Sequence, residues 1–245
     1  MISDIEELSM NAWPAIQTKL YDGWVLRFAA GYTKRSNSIN PIYNSKISLQ
    51  MKLDFCEKEY EHVNLPVIYK LTSASQPSDI DEELDKRGYN RVDETSVMIM
   101  EMVNYCQEKA GDIHVATEFS DTWINGILKC SGINERDQMT ARKLLNNIIS
   151  EVVCVSKRVG DKFIGYGFGV IDRDCIGIFD IIVDKSSRGK GYGKNIMKGI
   201  LNTAAEKGVK TAYLQVVAGN RPAENLYANL GFKEEYRYWY RVKRV

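Results

Sequence analysis

Histidine is nearly absent from this chain: His62 and His114 are the only two among 245 residues. A metal centre built on several imidazoles is thereby excluded. Cysteine is sparse and odd in number. Cys56, Cys106, Cys130, Cys154 and Cys175 are scattered, and none lies in a C-x-x-C pair. That speaks against a disulfide framework or a thiolate zinc site and for a reducing compartment. No apolar run approaches the ~20 residues of a bilayer span. The acidic, polar-interrupted N-terminus does not read as a signal peptide. A dominant charge is missing as well, since 33 Lys+Arg stand against 32 Asp+Glu for a net of +1. Nothing in that balance drives the whole chain toward nucleic acid. The expectation is a soluble, cytoplasmic protein with no metal, no membrane contact and no nucleic-acid partner.

What is present is enough apolar residue, 44% of the chain, for one large core or two smaller ones. The charge is divided unevenly. Residues 1–110 carry 12 Lys+Arg and 17 Asp+Glu, a net of −5, and residues 111–245 carry 21 and 15, a net of +6. A basic second half suits a ligand that carries phosphates, and ordinary scatter of surface charge accounts for it equally well.

One stretch carries chemistry. Arg188-Gly189-Lys190-Gly191-Tyr192-Gly193 follows the strand-like run from Ile176 to Val183 and opens a helix-like run from Lys194. A helix N-terminus presents amides without an internal partner and the positive end of the dipole, so this arrangement suits an anion. Gly191 and Gly193 let the backbone approach a bulky diphosphate, and Arg188, Lys190 and Lys194 surround it with charge. The string G-x-x-x-x-G-K-[ST] of a P-loop is absent. The spacing here is G-x-G-x-G rather than the G-x-G-x-x-G of a dinucleotide fold. A second motif runs from Asn220 to Phe232: Asn220-Arg221-Pro222-Ala223-Glu224-Asn225-Leu226-Tyr227-Ala228-Asn229-Leu230-Gly231-Phe232. Asn220 suits an N-cap, Pro222 a first turn and Gly231 the C′ position, so a capped helix is expected.

Together the two motifs resemble the GNAT acetyltransferases. Arg188, Gly191 and Gly193 match the family's pyrophosphate loop, Arg/Gln-x-x-Gly-x-Gly/Ala. The second motif matches Asn-x-x-Ala-x-x-Leu-Tyr-x-x-x-Gly-Phe at every defined position. The resemblance covers residues 113–245 and implies an α/β fold with a mixed sheet. Periodicity agrees with it. Helices are expected near Asp121–Cys130 and Glu135–Ser150. Strands are expected at Val152–Ser156, Phe163–Ile171, Cys175–Val183, Ala212–Val217 and Lys233–Val242. Two further helices are expected from Gly191 to about Lys207 and over Asn220–Leu230.

The first half echoes the second. Pro66–Thr72, Ser78–Arg87 and Glu94–Met102 read as strand, helix and strand. A shift of 143 residues places Gly88 on Gly231, Tyr89 on Phe232, Leu84 on Tyr227 and Pro77 on Asn220. No Arg-x-x-Gly-x-Gly occurs near Asn40–Leu53, where a second phosphate loop would fall. Residues 1–103 are therefore read as a degenerate GNAT-like domain, 104–112 as a linker and 113–245 as the catalytic domain. Asp22–Ala29 alternates like a strand, and Gly31–Ser38, polar with two cations, reads as a solvated loop or, as the alternative, a contact for a substrate or a CoA tail.

The resemblance implies acetyl-CoA as co-substrate, with no metal. Ile181, Ile182 and Val183 would pair with the pantetheine arm, and Arg188, Gly189, Lys190, Gly191, Tyr192, Gly193 and Lys194 would hold the pyrophosphate. Asn220 and Ala223 would line the arm's path, and Tyr227 would protonate the departing thiolate as a phenol of ordinary pKa. The acceptor implied is an amine, on a small molecule or a peptide. Its identity, the oligomeric state and the general base are not legible, although Asp180 is one candidate for the base. Two other readings stay open: a CoA-binding module without catalysis, and a transferase of another acyl group or to a non-amine acceptor.

Overall fold

A computed structural model describes residues 1–243. In chain order the regular elements are helix α1 (Ile2–Ala12), strands β1 (Gln17–Tyr21), β2 (Trp24–Phe28) and β3 (Ile39–Pro41), helix α2 (Leu49–His62), strand β4 (Val67–Thr72), helix α3 (Ile80–Lys86) and strand β5 (Asn90–Glu101). Then come β6 (Ile113–Ala116), α4 (Asp121–Ser131), α5 (Glu135–Asn146), β7 (Glu151–Val159), β8 (Lys162–Asp172), β9 (Cys175–Val183), α6 (Tyr192–Glu206), β10 (Thr211–Val217), α7 (Arg221–Ala228) and β11 (Lys233–Lys243). No helix among the described residues is long and apolar enough to cross a membrane.

The chain forms two compact units. One comprises Met1–Val97, Val217–Gly219 and the segment from Glu235 on, and the other comprises Met98–Val216 and Asn220–Glu234. Each has strands of mixed direction and its own core. In the first unit the strand order is β1-β2-β3-β4-β11-β5. β3 runs parallel to β4, and β11 runs antiparallel to β4. Its core gathers Trp24, Leu26, Ile39, Leu53, Tyr60, Tyr69 and Leu84. In the second unit the last residues of β5 are followed by β10-β9-β8-β7-β6. The meander β6 to β9 is antiparallel, and β10 is parallel to β9.

Local signals account for the second unit. Ser120 caps α4 by accepting from the Trp123 amide, and Trp123, Ile124, Ile127 and Leu128 share its buried face. α6 buries Ile196, Met197, Ile200, Leu201 and Ala204, a helical spacing, against Val153, Val155, Ile176 and Ile178 of the sheet. Each such Ile or Leu side chain contributes roughly 1.5–3 kcal/mol. The close seat of α6 on the sheet depends on glycine in β8. A Cβ on Gly167 would stand 2.5 Å from Ile181 Cδ1 and 2.8 Å from Ile196 Cγ2. Gly167→Val should therefore overpack this layer by about 1–3 kcal/mol. A lowered urea midpoint with unchanged slope is the expected result, and an unmoved midpoint would contradict it.

The repeat extends further than strand, helix and strand. The 143-residue shift carries α2 onto 192–205, the span of α6, and carries β2 onto 167–171, within β8. Gly88 and Gly231 both take left-handed φ, 82° and 99°. The amide of Tyr89 bonds the Leu84 carbonyl at 3.0 Å, and that of Phe232 bonds the Tyr227 carbonyl at 3.1 Å. The two helix ends are thus closed by the same bond at matching positions. The expected strand from Asp22 starts only at Trp24, because Asp22 and Gly23, at φ 42° and 82°, form the two-residue turn of the β1–β2 hairpin.

Candidate functional site

All thirteen site residues named from sequence fall in the second unit. β9 and β10 pair in parallel only from Cys175↔Thr211 to Ile178↔Leu214. Beyond that point β9 continues to Val183 and β10 to Val217 without pairing each other. Strand edges left open in this way offer a row of backbone donors and acceptors that an extended arm can complete. Ile181, Ile182 and Val183 lie on the open stretch and are half-buried.

A bulge sits where the strands part. Tyr166 faces Ile182 while Phe168 faces Phe179, so β9 carries one residue more than β8. Asp180 takes φ 49° there. The extra residue restores the side chains of Ile181 and Val183 to the face that packs on the α6 core. Neither the bulge nor the glycine contact at Gly167 was read from sequence. The signals were the alternation Gly165, Gly167, Gly169 in β8 and a lone Asp180 within an apolar strand.

The loop after β9 is held from within. The Asp184 carboxylate accepts from the Ser186 amide at 2.9 Å, and Arg188 Nε donates to the Val183 carbonyl at 3.0 Å. Gly189 and Gly191 both have left-handed φ, 76° and 78°, and nothing lies within 4 Å of where a Cβ would be. Gly191 is the N-cap of α6. The first intrahelical bond runs from the Asn195 amide to the Gly191 carbonyl. The amides of Tyr192, Gly193 and Lys194 thus precede the helix's own ladder and are aimed outward. Arg188, Gly189, Lys190 and Gly191 are exposed. The glycines divide their roles differently from the sequence expectation. Gly191 supplies the left-handed turn, whereas Gly193 is helical and a Cβ there would meet Leu226 at an ordinary 3.5 Å.

α7 packs beside α6. Asn220 is its N-cap as expected, accepting from the Ala223 amide at 3.4 Å. Ala223 and Tyr227 are half-buried against the α6 core. The Tyr227 ring packs edge-on to Phe232, with centroids 6.3 Å apart. Its phenol does not keep an ordinary pKa. Burial first, and then the Asp180 carboxylate, push it up to about 12. The site therefore gathers outward helix amides, an open strand edge and a phenol held protonated.

Among the described residues of the first unit, the place that matches the loop and helix of this site is filled from within. The Asp22 carboxylate accepts from the amides of Lys46 and Ile47 at 2.9 and 2.8 Å, just before α2. The 143-residue shift places those amides on Gly189 and Lys190. Lys52, fully buried, stands 3.5 Å from the same carboxylate. Ile80 and Leu84, which match Ala223 and Tyr227, are sealed in the core. An internal anion and apolar side chains fill the place that stays open in the second unit.

Residues 1–241 match the family described as "Probable histone acetyltransferase Rv0428c C-terminal". The chain belongs to this family, and with it to the GNAT N-acetyltransferases. It is 26% identical to the "Uncharacterized N-acetyltransferase YobR" of Bacillus subtilis over 263 residues, covering 99% of each protein. The fold is similar to a GCN5-related N-acetyltransferase from Kribbella flavida, with a TM-score of 0.76 and 13% identity over 99% of this chain and 95% of that one. It is also similar to a tandem GNAT protein from the clavulanic acid biosynthesis pathway, with a TM-score of 0.66 and 10% identity over 98% and 87%. Family membership implies use of acetyl-CoA.

Proposed function

We propose that this GNAT protein transfers the acetyl group of acetyl-CoA to an amine, using a single site in its second unit. The observation that carries the reading is the convergence of the β9–β10 opening, the α6 amides and Tyr227 on one end of one sheet. Acetyl-CoA supplies the reactive thioester. The amides of residues 192–194 would hold its pyrophosphate, and Arg188, Lys190 and Lys194 would add charge. The edge of Ile181–Val183 that β10 leaves unpaired would pair with the pantetheine arm, while Asn220 and Ala223 border its path. Amides of β9 beyond the bulge would stabilise the negative charge that develops on the thioester oxygen as the amine nitrogen attacks. As the C–S bond breaks, Tyr227 would give its proton to the sulfur and recover one from solvent. The acceptor nitrogen must shed a proton. Asp180, whose charge is felt by the Tyr227 phenol, is one candidate to take it.

A cytoplasmic, metal-free enzyme acting on a small-molecule or peptide amine, without nucleic acid or membrane, remains the reading for partners. The single site makes a numerical prediction. Calorimetric titration should give one CoA per chain, because Asp22, Ile80 and Leu84 fill the counterpart in the first unit. A stoichiometry of two would reject it. The reaction itself is tested by incubating the protein with an amine panel and acyl-CoA donors of increasing chain length. Mass spectrometry should find N-acetyl product from acetyl-CoA in preference to longer donors. Preference for a longer acyl group, or acyl product on oxygen, would replace the reading.

A further inference from the structure

The segment between β5 and β6 is laid along α6. The Tyr105 hydroxyl donates to Asn202 Oδ1 at 2.8 Å, and Asn202 Nδ2 donates to the Glu108 carbonyl at 2.9 Å. Glu108 pairs with Lys198 Nζ at 2.6 Å. Gly111, at φ 73°, comes so near the helix that a Cβ would sit 2.5 Å from Asn195 Nδ2. Positions 195, 198 and 202 recur at helical spacing and share one face of α6. As the segment advances from 105 to 111, its partners on α6 step back from 202 to 195. It therefore runs antiparallel to the helix and ends at the helix's first turn.

A buried lysine closes that end. Lys157 of β7 is only 5% exposed. Its ammonium donates to the Asp112 carbonyl at 2.9 Å and lies over the Tyr192 ring, 5.5 Å from its centroid. Tyr192 is the first residue of α6 and follows Gly191 directly. Burying an ammonium is costly unless it is matched. Here it is matched by one carbonyl from the segment and one ring face from the phosphate loop.

We infer that residues 105–112 are a brace that sets the first turn of α6, with Lys157 and Glu108 as positioning residues for the phosphate loop. The inference rests on the proposed CoA site, since it says what holds that site's amides in place. Its physical basis is preorganisation: amides fixed before a ligand arrives are not ordered at the expense of affinity. Hydrogen bonding to Lys198 holds the Glu108 carboxyl below the usual range, and Lys194 adds to the effect, so Glu108 is charged at neutral pH.

That charge lets electrostatics and bracing be told apart. Glu108→Ala removes a negative charge beside Lys194 and Lys198. Charge alone would then strengthen the binding of an anion. Loss of a brace would weaken it. The expected result is a three- to tenfold weaker Kd for CoA by calorimetry. In the ligand-free full-length protein, hydrogen exchange should be faster at the amides of Asn195 and Ile196 and unchanged at Leu201–Ala204. Lys157→Met should act in the same direction at the same amides. Unchanged or tighter CoA binding by Glu108→Ala, with unchanged exchange at Asn195 and Ile196, would overturn the brace. If the unaltered protein binds no CoA, the cofactor reading fails by itself. Faster exchange confined to the first turn would then still support the brace, and uniform exchange along α6 would overturn it.

Discussion

Tyr227→Phe is expected to lower kcat by roughly ten- to a thousandfold while leaving the Kd for acetyl-CoA nearly unchanged. The substitution keeps the ring that packs on Phe232 and removes only the hydroxyl that carries the proton. An interaction made chiefly as the C–S bond breaks should affect the chemical step rather than binding. The pKa of about 12 gives the prediction a pH dependence. An acid must be protonated to act, so a raised pKa extends its working range upward. No fall in kcat due to Tyr227 is expected below roughly pH 11, about one unit under that pKa. A phenol near its ordinary value would begin to fail about two units earlier. A Phe variant that turns over at the parent rate, with chemistry rate-limiting, would make Tyr227 a packing residue.

Gly191→Val should weaken acetyl-CoA binding more than tenfold, about 1.4 kcal/mol or more. The reason is conformational rather than one of internal space. Nothing in the protein crowds a Cβ at Gly191, but its φ of 78° is strained for a β-branched residue. Valine would pull the turn toward another conformation and re-aim the amides that follow it. The same strain should lower fold stability by about 1–2 kcal/mol, a cost separate from the loss of affinity. Affinity equal to the parent's by calorimetry would remove the loop from the site. Gly193→Ala is the informative partner to this variant. Its Cβ meets only an ordinary contact with Leu226, so a smaller loss is expected.

Much of the second unit was legible because its signals are local. Asn220, Pro222 and Gly231 mark the ends of a helix in the residue types that caps require, and α7 forms between them. The strand expected over Cys175–Val183 is the observed β9. The first unit was less legible for identifiable reasons. β1 is an edge strand exposed along nearly its whole length, so no alternation marks it. The buried face of α2 includes Lys52, which breaks the apolar periodicity that would have announced a helix. β3 is only three residues long. Within the candidate site, the glycine-rich turn after β9 could be found from Arg188, Gly191 and Gly193. The bulge at Asp180 could not, because a bulge depends on register against β8. Nor could Asp22 be seen to occupy the amides of Lys46 and Ile47, a contact some 24 residues away in the chain.

The central claim is that the open end of β9 and Tyr227 together carry out acetyl transfer to an amine. Release of free thiol from acetyl-CoA, followed across an amine panel for the parent and Tyr227→Phe side by side, tests it most directly. The account predicts thiol release that depends on an amine, matches N-acetyl product one to one, and is strongly slowed in the Phe variant, with CoA bound equally by both proteins. CoA binding without amine-dependent thiol release from any acceptor in the panel would contradict it and leave a binding module in its place.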